Sequence, residues 1–170
     1  MTGVPAYPMR TAFLLSFVAH LVLTVVELVL GPPRVAIHFG PAGEPDSWAS
    51  AWVNALLMAG IAVLVFVSFY FAPHLLRVTP PTLLSLPHKD YWLREENRGR
   101  MESILMAHLY QFGTLTFVFL FVVGLLALQA NLSEPVRFRT DLFWWPFGLY
   151  LAYTVYWSVK VIVVFRVPKR

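Results

Sequence analysis

The chain has 170 residues, of which 58 % are hydrophobic and 13 % charged, against about 45–50 % and about 25 % in soluble domains. With a mean hydropathy of +0.66 this composition excludes an ordinary soluble globule, and the absence of cysteine excludes disulfides, thiolate metal sites, thiol catalysis and covalent haem attachment. The net charge of +4 comes from basic residues that flank apolar runs instead of forming a dense stripe, so it is read as a topology signal and nucleic acid is not expected as a partner.

Four apolar runs are long enough to cross a hydrocarbon core of about 30 Å, which needs about 20 helical residues. The first, at about residues 11–30, follows a short leader with prolines at positions 5 and 8. It exceeds the roughly 7–15 apolar residues of a signal peptide and ends in Gly31-Pro32-Pro33-Arg34 without a small-residue cleavage pattern. It carries His20 and Glu27, which are seven positions apart and therefore on one face, separated by about 10 Å along the axis.

The outer loop, residues 31–48, comes next. Val35, Ile37 and Phe39 alternate with Ala36 and His38, the period of an extended segment. Gly40-Pro41 and Gly43-Glu44-Pro45-Asp46 predict turns, with Pro45 presetting the second turn position. Asp46 or Ser47 is placed to cap the second span. One reading makes this a folded re-entry loop; the other brings His38, Glu44 and Asp46 together as an outward-facing site for a peptide, a cation or a partner. Metal ligation by one histidine and two acids on a turn is a weak pattern, and no metal is expected.

The second span runs over about 49–71, with Asn54 near its outer start and Pro73 just beyond its end. The inner loop, residues 72–103, contains Pro80-Pro81 and the string KDYWLREENRGRME, whose charges alternate in sign. It suits a short interfacial helix leading into the third span, with Tyr91 and Trp92 as anchors at headgroup depth. The third span, about 104–128, carries His108 and Gln111 on one face. After an outer loop at 129–141, Asp141 is placed to cap the fourth span, about 142–165, where Tyr150, Tyr153, Tyr156 and Trp157 recur at three and four.

Orientation follows from the basic residues. Arg10, Arg77, Lys89, Arg94, Arg98, Arg100, Lys160, Arg166, Lys169 and Arg170 fall on one side, and Arg34, Arg137 and Arg139 on the other. This bias predicts both termini in the cytoplasm. Trp48, Trp52, Trp144 and Trp145 then lie near the outer boundary.

The string Ile37-His38-Phe39 followed by Gly43-Glu44-Pro45-Asp46-Ser47-Trp48 resembles the H-[FW]-x(n)-G-x-x-D element of a bacterial multispan membrane-protein family of unknown function. That family's domain also occurs in SdpI-type immunity proteins, which protect a producing cell from its own secreted toxic peptide. Leu86 to Leu93, LPHKDYWL, looks like a second recurring element of the same family. The immunity proteins have more spans than the four counted here. What the resemblance implies is a membrane component of a bacterial inner membrane, acting in immunity, envelope sensing or a housekeeping role, without enzymatic chemistry.

The sequence thus predicts a single-domain, all-α, four-span protein with N-in/C-in topology in the bacterial inner membrane. Its expected role is non-enzymatic recognition through an outer-loop site formed by His38, Gly43, Glu44, Asp46 and Trp48. The alternative is an accessory subunit of a larger membrane complex. Besides the lipid bilayer, the expected partner is a membrane protein or a secreted peptide. No catalytic residues and no cofactor are expected: the intramembrane polar groups His20, Glu27, His108 and Gln111 are read chiefly as packing fixtures between helices. A haem between His20 and His108, and a proton or ion path through His20, Glu27, Gln111 and Tyr150 or Tyr153, are the weaker alternatives.

Overall fold

The computed structural model describes residues 6–80, 83, 84 and 86–167. Pro81, Lys169 and Arg170 of the readings above lie outside the described residues. The elements in chain order are α1 (Ala6–Leu30), β1 (Arg34–Phe39), β2 (Pro45–Ser50), α2 (Ala51–Tyr70), α3 (Ala72–Val78), α4 (Lys89–Trp92), α5 (Glu95–Asn131) and α6 (Thr140–Val164). Four helices, α1, α2, α5 and α6, are long and apolar enough to cross a membrane.

The architecture differs from an all-α bundle in one element. Strands β1 and β2 form an antiparallel hairpin, with Arg34 opposite Ser50 and Ala36 opposite Trp48. The alternation over 35–39 does mark a strand. The turn expected at Gly43-Glu44-Pro45-Asp46 and the cap expected at Asp46 or Ser47 do not form, because from Pro45 onward this stretch pairs with that strand. The turn expected at Gly40-Pro41 does form, as Gly40-Pro41-Ala42-Gly43, closed by the Gly43 N–H donating to the Gly40 carbonyl at 2.9 Å. Pro41 occupies the second turn position, where its fixed φ fits, and Pro45 opens a strand, where its missing donor is tolerated. Because β2 extends to Ser50, the cap of α2 is Ser50, whose hydroxyl accepts from the Val53 N–H at 3.3 Å. Asp46 and Ser47 are too far upstream to reach those amides.

A second difference concerns α5. The predicted interfacial helix and the third span are one helix of 37 residues, about 55 Å at 1.5 Å per residue and therefore longer than a hydrocarbon core. Its charged first turns extend beyond the apolar part. There Glu102 accepts from Arg77 of α3 at 2.9 Å and lies 3.6 Å from Arg98.

Packing centres on α1 and α5. Gly113 of α5 lies under the Phe13 ring, so close that an added Cβ would stand 2.7 Å from it. Such small residues let membrane helices approach without a hydrophobic driving force between them. The fully buried Phe13 stacks on Phe66 of α2 at 5.5 Å and meets Tyr110 and Phe117 of α5 at 5.5 and 5.7 Å. Helix α6 rests on α5 through aromatics: Phe112 stacks on Trp157 at 4.6 Å and Phe119 on Tyr150 at 4.7 Å. Of the expected aromatic face, Tyr150, Tyr153 and Trp157 turn toward α5, whereas Tyr156 is exposed with Lys160 over its ring.

At the end opposite the hairpin, Trp92 is 2 % exposed and donates its indole N–H to the Phe165 carbonyl at 2.8 Å. Packed with Met101 and Phe165, it closes the bundle. This corrects the expectation of a headgroup anchor. The four-residue helix α4 turns the indole inward, and its N–H finds the free carbonyl at the end of α6. Tyr91 beside it is half-buried, edge-on to Trp92 at 5.2 Å.

Candidate functional site

A cavity of about 690 Å³ lies beneath the hairpin, walled by α1, α2, α5 and the start of α6. Its formation follows from how the hairpin is held. Asn131, at the end of α5, pairs with both backbone groups of Ala36: the Ala36 N–H donates to Oδ1 at 2.6 Å and Nδ2 donates to the Ala36 carbonyl at 3.1 Å. The hairpin turn is fixed separately. The Phe138 N–H donates to the Gly43 carbonyl at 2.8 Å, and the Arg137 guanidinium donates to the Ala42 carbonyl at 3.2 Å. Phe39 stacks on Phe138 at 5.1 Å. Held at both ends, the hairpin forms a cover over the bundle.

The outer-loop residues separate into different roles. His38 and Asp46 form an exposed pair, Nδ1 to Oδ1 at 2.6 Å, and both line the cavity. Glu44 does not join them; its carboxylate lies over Gly40, where an added Cβ would be 2.6 Å from Oε1. Trp48 is partly exposed and has the Arg34 guanidinium 5.7 Å from its ring centroid. Gly43 is buried with φ +85°, and a Cβ there would overlap the Phe138 carbonyl oxygen. Its glycine is therefore required by the turn and the docking contact. Among the described residues no three histidine, aspartate or glutamate side chains gather in a way that would hold a metal.

The intramembrane residues also divide. His20 and Glu27 line the cavity. His20 is 4 % exposed, its ring 6.1 Å from Phe117, and neither ring nitrogen has a hydrogen-bond partner among the described residues. The Glu27 carboxylate is half-buried beside Gly124, whose missing side chain leaves it room. His108 is elsewhere. Its Nδ1 donates to the Ile104 carbonyl at 2.8 Å, and it lies nine positions from Phe117, about 13 Å along α5. Since His20 is level with Phe117, the two imidazoles do not face each other across a haem. Gln111 is half-buried and outside the cavity lining.

Sequence reasoning missed Asn131, Phe138 and Thr140 as parts of this site. An asparagine closing an apolar run signals a helix end, and nothing local shows that its amide reaches a strand 95 positions away. Asp141 is in the first turn of α6, not at its cap, and its carboxylate accepts from Arg139 at 2.7 Å. That hydrogen bond holds the Arg139 guanidinium above its ordinary range.

Chemically the cavity suits binding. Most of its wall is apolar, its volume is in the range of small-molecule sites, and its polar groups are few. His38 is oriented by Asp46, but among the described residues no hydroxyl is hydrogen-bonded to its other nitrogen, the arrangement a nucleophile would need.

Residues 14–63 match a domain of unknown function, DUF1648. No curated protein and no solved structure matches the chain. The matched stretch contains most of α1, the whole hairpin and the first part of α2, so it supplies His20, Glu27, His38, Asp46 and Asn54 to the cavity, while α5 and α6 supply the remaining wall.

Proposed function

We propose that this protein is a non-enzymatic recognition protein of a bacterial inner membrane, with both termini cytoplasmic and the hairpin facing outward. In this reading the hairpin and the cavity beneath it receive an extracytoplasmic ligand, in the manner of an immunity-type or envelope-sensing protein related to the SdpI type. The observation that carries it is the joining of two groups of polar residues distant from each other in character. His38 and Asp46 stand at the mouth of the cavity and Glu27 and His20 further in, along one mostly apolar wall. The excess of basic residues at the opposite end supports the orientation.

The test is extraction of the protein from its native membrane in mild detergent, followed by mass spectrometry of everything that co-elutes. Recognition predicts a bound small molecule or peptide that is lost from His38→Ala and Asp46→Ala at unchanged membrane abundance. If abundance falls in step with binding, the hairpin residues are structural and the reading fails. A second reading, an accessory subunit, is favoured by α6, which has no buried residue and packs chiefly on α5. It predicts a stoichiometric protein partner that survives both substitutions.

A further inference from the structure

Of the titratable residues that line the cavity, His20, Glu27, His38 and Asp46, two are carboxylates, and among the described residues no lysine or arginine joins them. The arginines at this end are engaged elsewhere: Arg34 over Trp48, Arg137 on the Ala42 carbonyl and Arg139 on Asp141. The cavity is therefore an acidic recess with apolar walls. An anionic amphiphile entering it would meet two carboxylates and, among the described residues, no lysine or arginine.

Glu27 sits about one helical turn inside the end of α1, and His20 about 10 Å deeper. No side-chain hydrogen bond or ion pair engages the Glu27 carboxylate among the described residues, although its backbone carbonyl closes the helix by accepting from Gly31 at 2.9 Å. A carboxylate in a membrane span ordinarily faces a partner of opposite charge, because leaving it unpaired in apolar surroundings is costly. Gly124 keeps the space beside it open: a Cβ there would stand 2.9 Å from Oε1 and 2.8 Å from Leu23. Deeper in, Met58, Ile61 and Leu120 offer hydrocarbon contact.

From this juxtaposition we propose that the cavity binds an alkylammonium group, with Glu27 as its counter-charge and the deeper apolar wall holding the attached hydrocarbon. The ammonium carries three donors in a compact head. Placed at Glu27 it stays near the mouth, where Asp46 adds to the attraction, while the chain points toward His20. The same chemistry is carried by a lysine side chain of an apolar peptide and by an amine-bearing amphiphile. This inference rests on the recognition reading above and specifies its ligand.

The experiment is titration calorimetry of the full-length protein in phosphatidylcholine nanodiscs, against empty nanodiscs, with decylamine, decanol and decanoate as probes. Two blocked leucine-rich peptides bearing one lysine or one glutamine form a second arm. Decylamine is expected to saturate one site, with decanol at least tenfold weaker and decanoate without effect. Glu27→Gln abolishes that preference, and Glu27→Asp, which retains the charge, keeps it. Gly124→Ala, which crowds Glu27 without altering charge, weakens decylamine at least tenfold. The lysine peptide binding in preference to its glutamine counterpart supports the same chemistry and assigns its source to peptides. Equal binding of decylamine and decanol, or a preference that survives Glu27→Gln, overturns the ammonium assignment while leaving a binding cavity in place. If none of the probes binds above empty nanodiscs, ammonium assignment and recognition cavity fall together.

Discussion

Replacing Asn131 by alanine removes the only side chain that pairs with both backbone groups of Ala36 among the described residues. Ala36 is 4 % exposed, so its N–H and carbonyl have little access to water while the hairpin remains docked. Each orphaned group costs about 1–3 kcal/mol, and relief comes only if β1 lifts from the end of α5. The docked hairpin should therefore lose about 2–6 kcal/mol relative to the open form. At about 1.4 kcal/mol per tenfold, that corresponds to a roughly 30-fold or greater acceleration of hydrogen exchange at the Ala36 amide, up to about 10,000-fold. Asn131→Asp is a sharper variant. It retains an acceptor for the Ala36 N–H but sets a second carboxylate oxygen against the Ala36 and Ala127 carbonyls that Nδ2 now serves at 3.1 and 3.0 Å. Its exchange rate should lie nearer that of Asn131→Ala than that of the wild type. Exchange measured by mass spectrometry on nanodisc-embedded protein reads both. An Ala36 amide as slow in Asn131→Ala as in the wild type would show that the hairpin is held without this asparagine, and the account of the cavity's cover would be wrong.

Gly43→Ala should undock the turn, since the left-handed φ alone costs a side-chain-bearing residue about 1–2 kcal/mol and its Cβ overlaps the Phe138 carbonyl; faster proteolysis within residues 132–139 is the readout. Trp92→Phe keeps the ring but loses the hydrogen bond to Phe165, a loss of about 1 kcal/mol, whereas Trp92→Ala should cost about 3–5 kcal/mol; thermal unfolding in detergent ranks them, and equal melting temperatures would restore Trp92 to a surface role. His38→Ala removes an exposed hydrogen bond to Asp46, worth about 1 kcal/mol or less where water can replace it, so its melting temperature should stay close to that of the wild type. Because the chain has no cysteine, Ala42→Cys and Arg98→Cys can be introduced singly. A membrane-impermeant maleimide applied to spheroplasts should label the first and not the second, and the reverse pattern would invert the proposed topology.

Length, composition and hydrophobic runs determined the four spans, because a bilayer demands about 20 apolar residues per crossing whatever their neighbours are. The same local logic found β1 from its alternation. It stopped short of β2, whose strand character comes from pairing with β1 and which reads alone as proline, acid and serine. Trp92 shows the complementary error: an indole beside a charged loop suggests an interface, and only the carbonyl at the end of α6 draws it inside. The sequence also supplied most of the polar residues of the site, but as two unrelated sets, an outer-loop group and an intramembrane group. Tertiary structure decided that His38 and Asp46 share a cavity with Glu27 and His20, that Glu44 and His108 stand apart from it, and that Asn131 holds its cover. Span and strand periodicity are properties of the local chain and its solvent, whereas a cavity is what remains between elements after packing, and no stretch of residues encodes it alone.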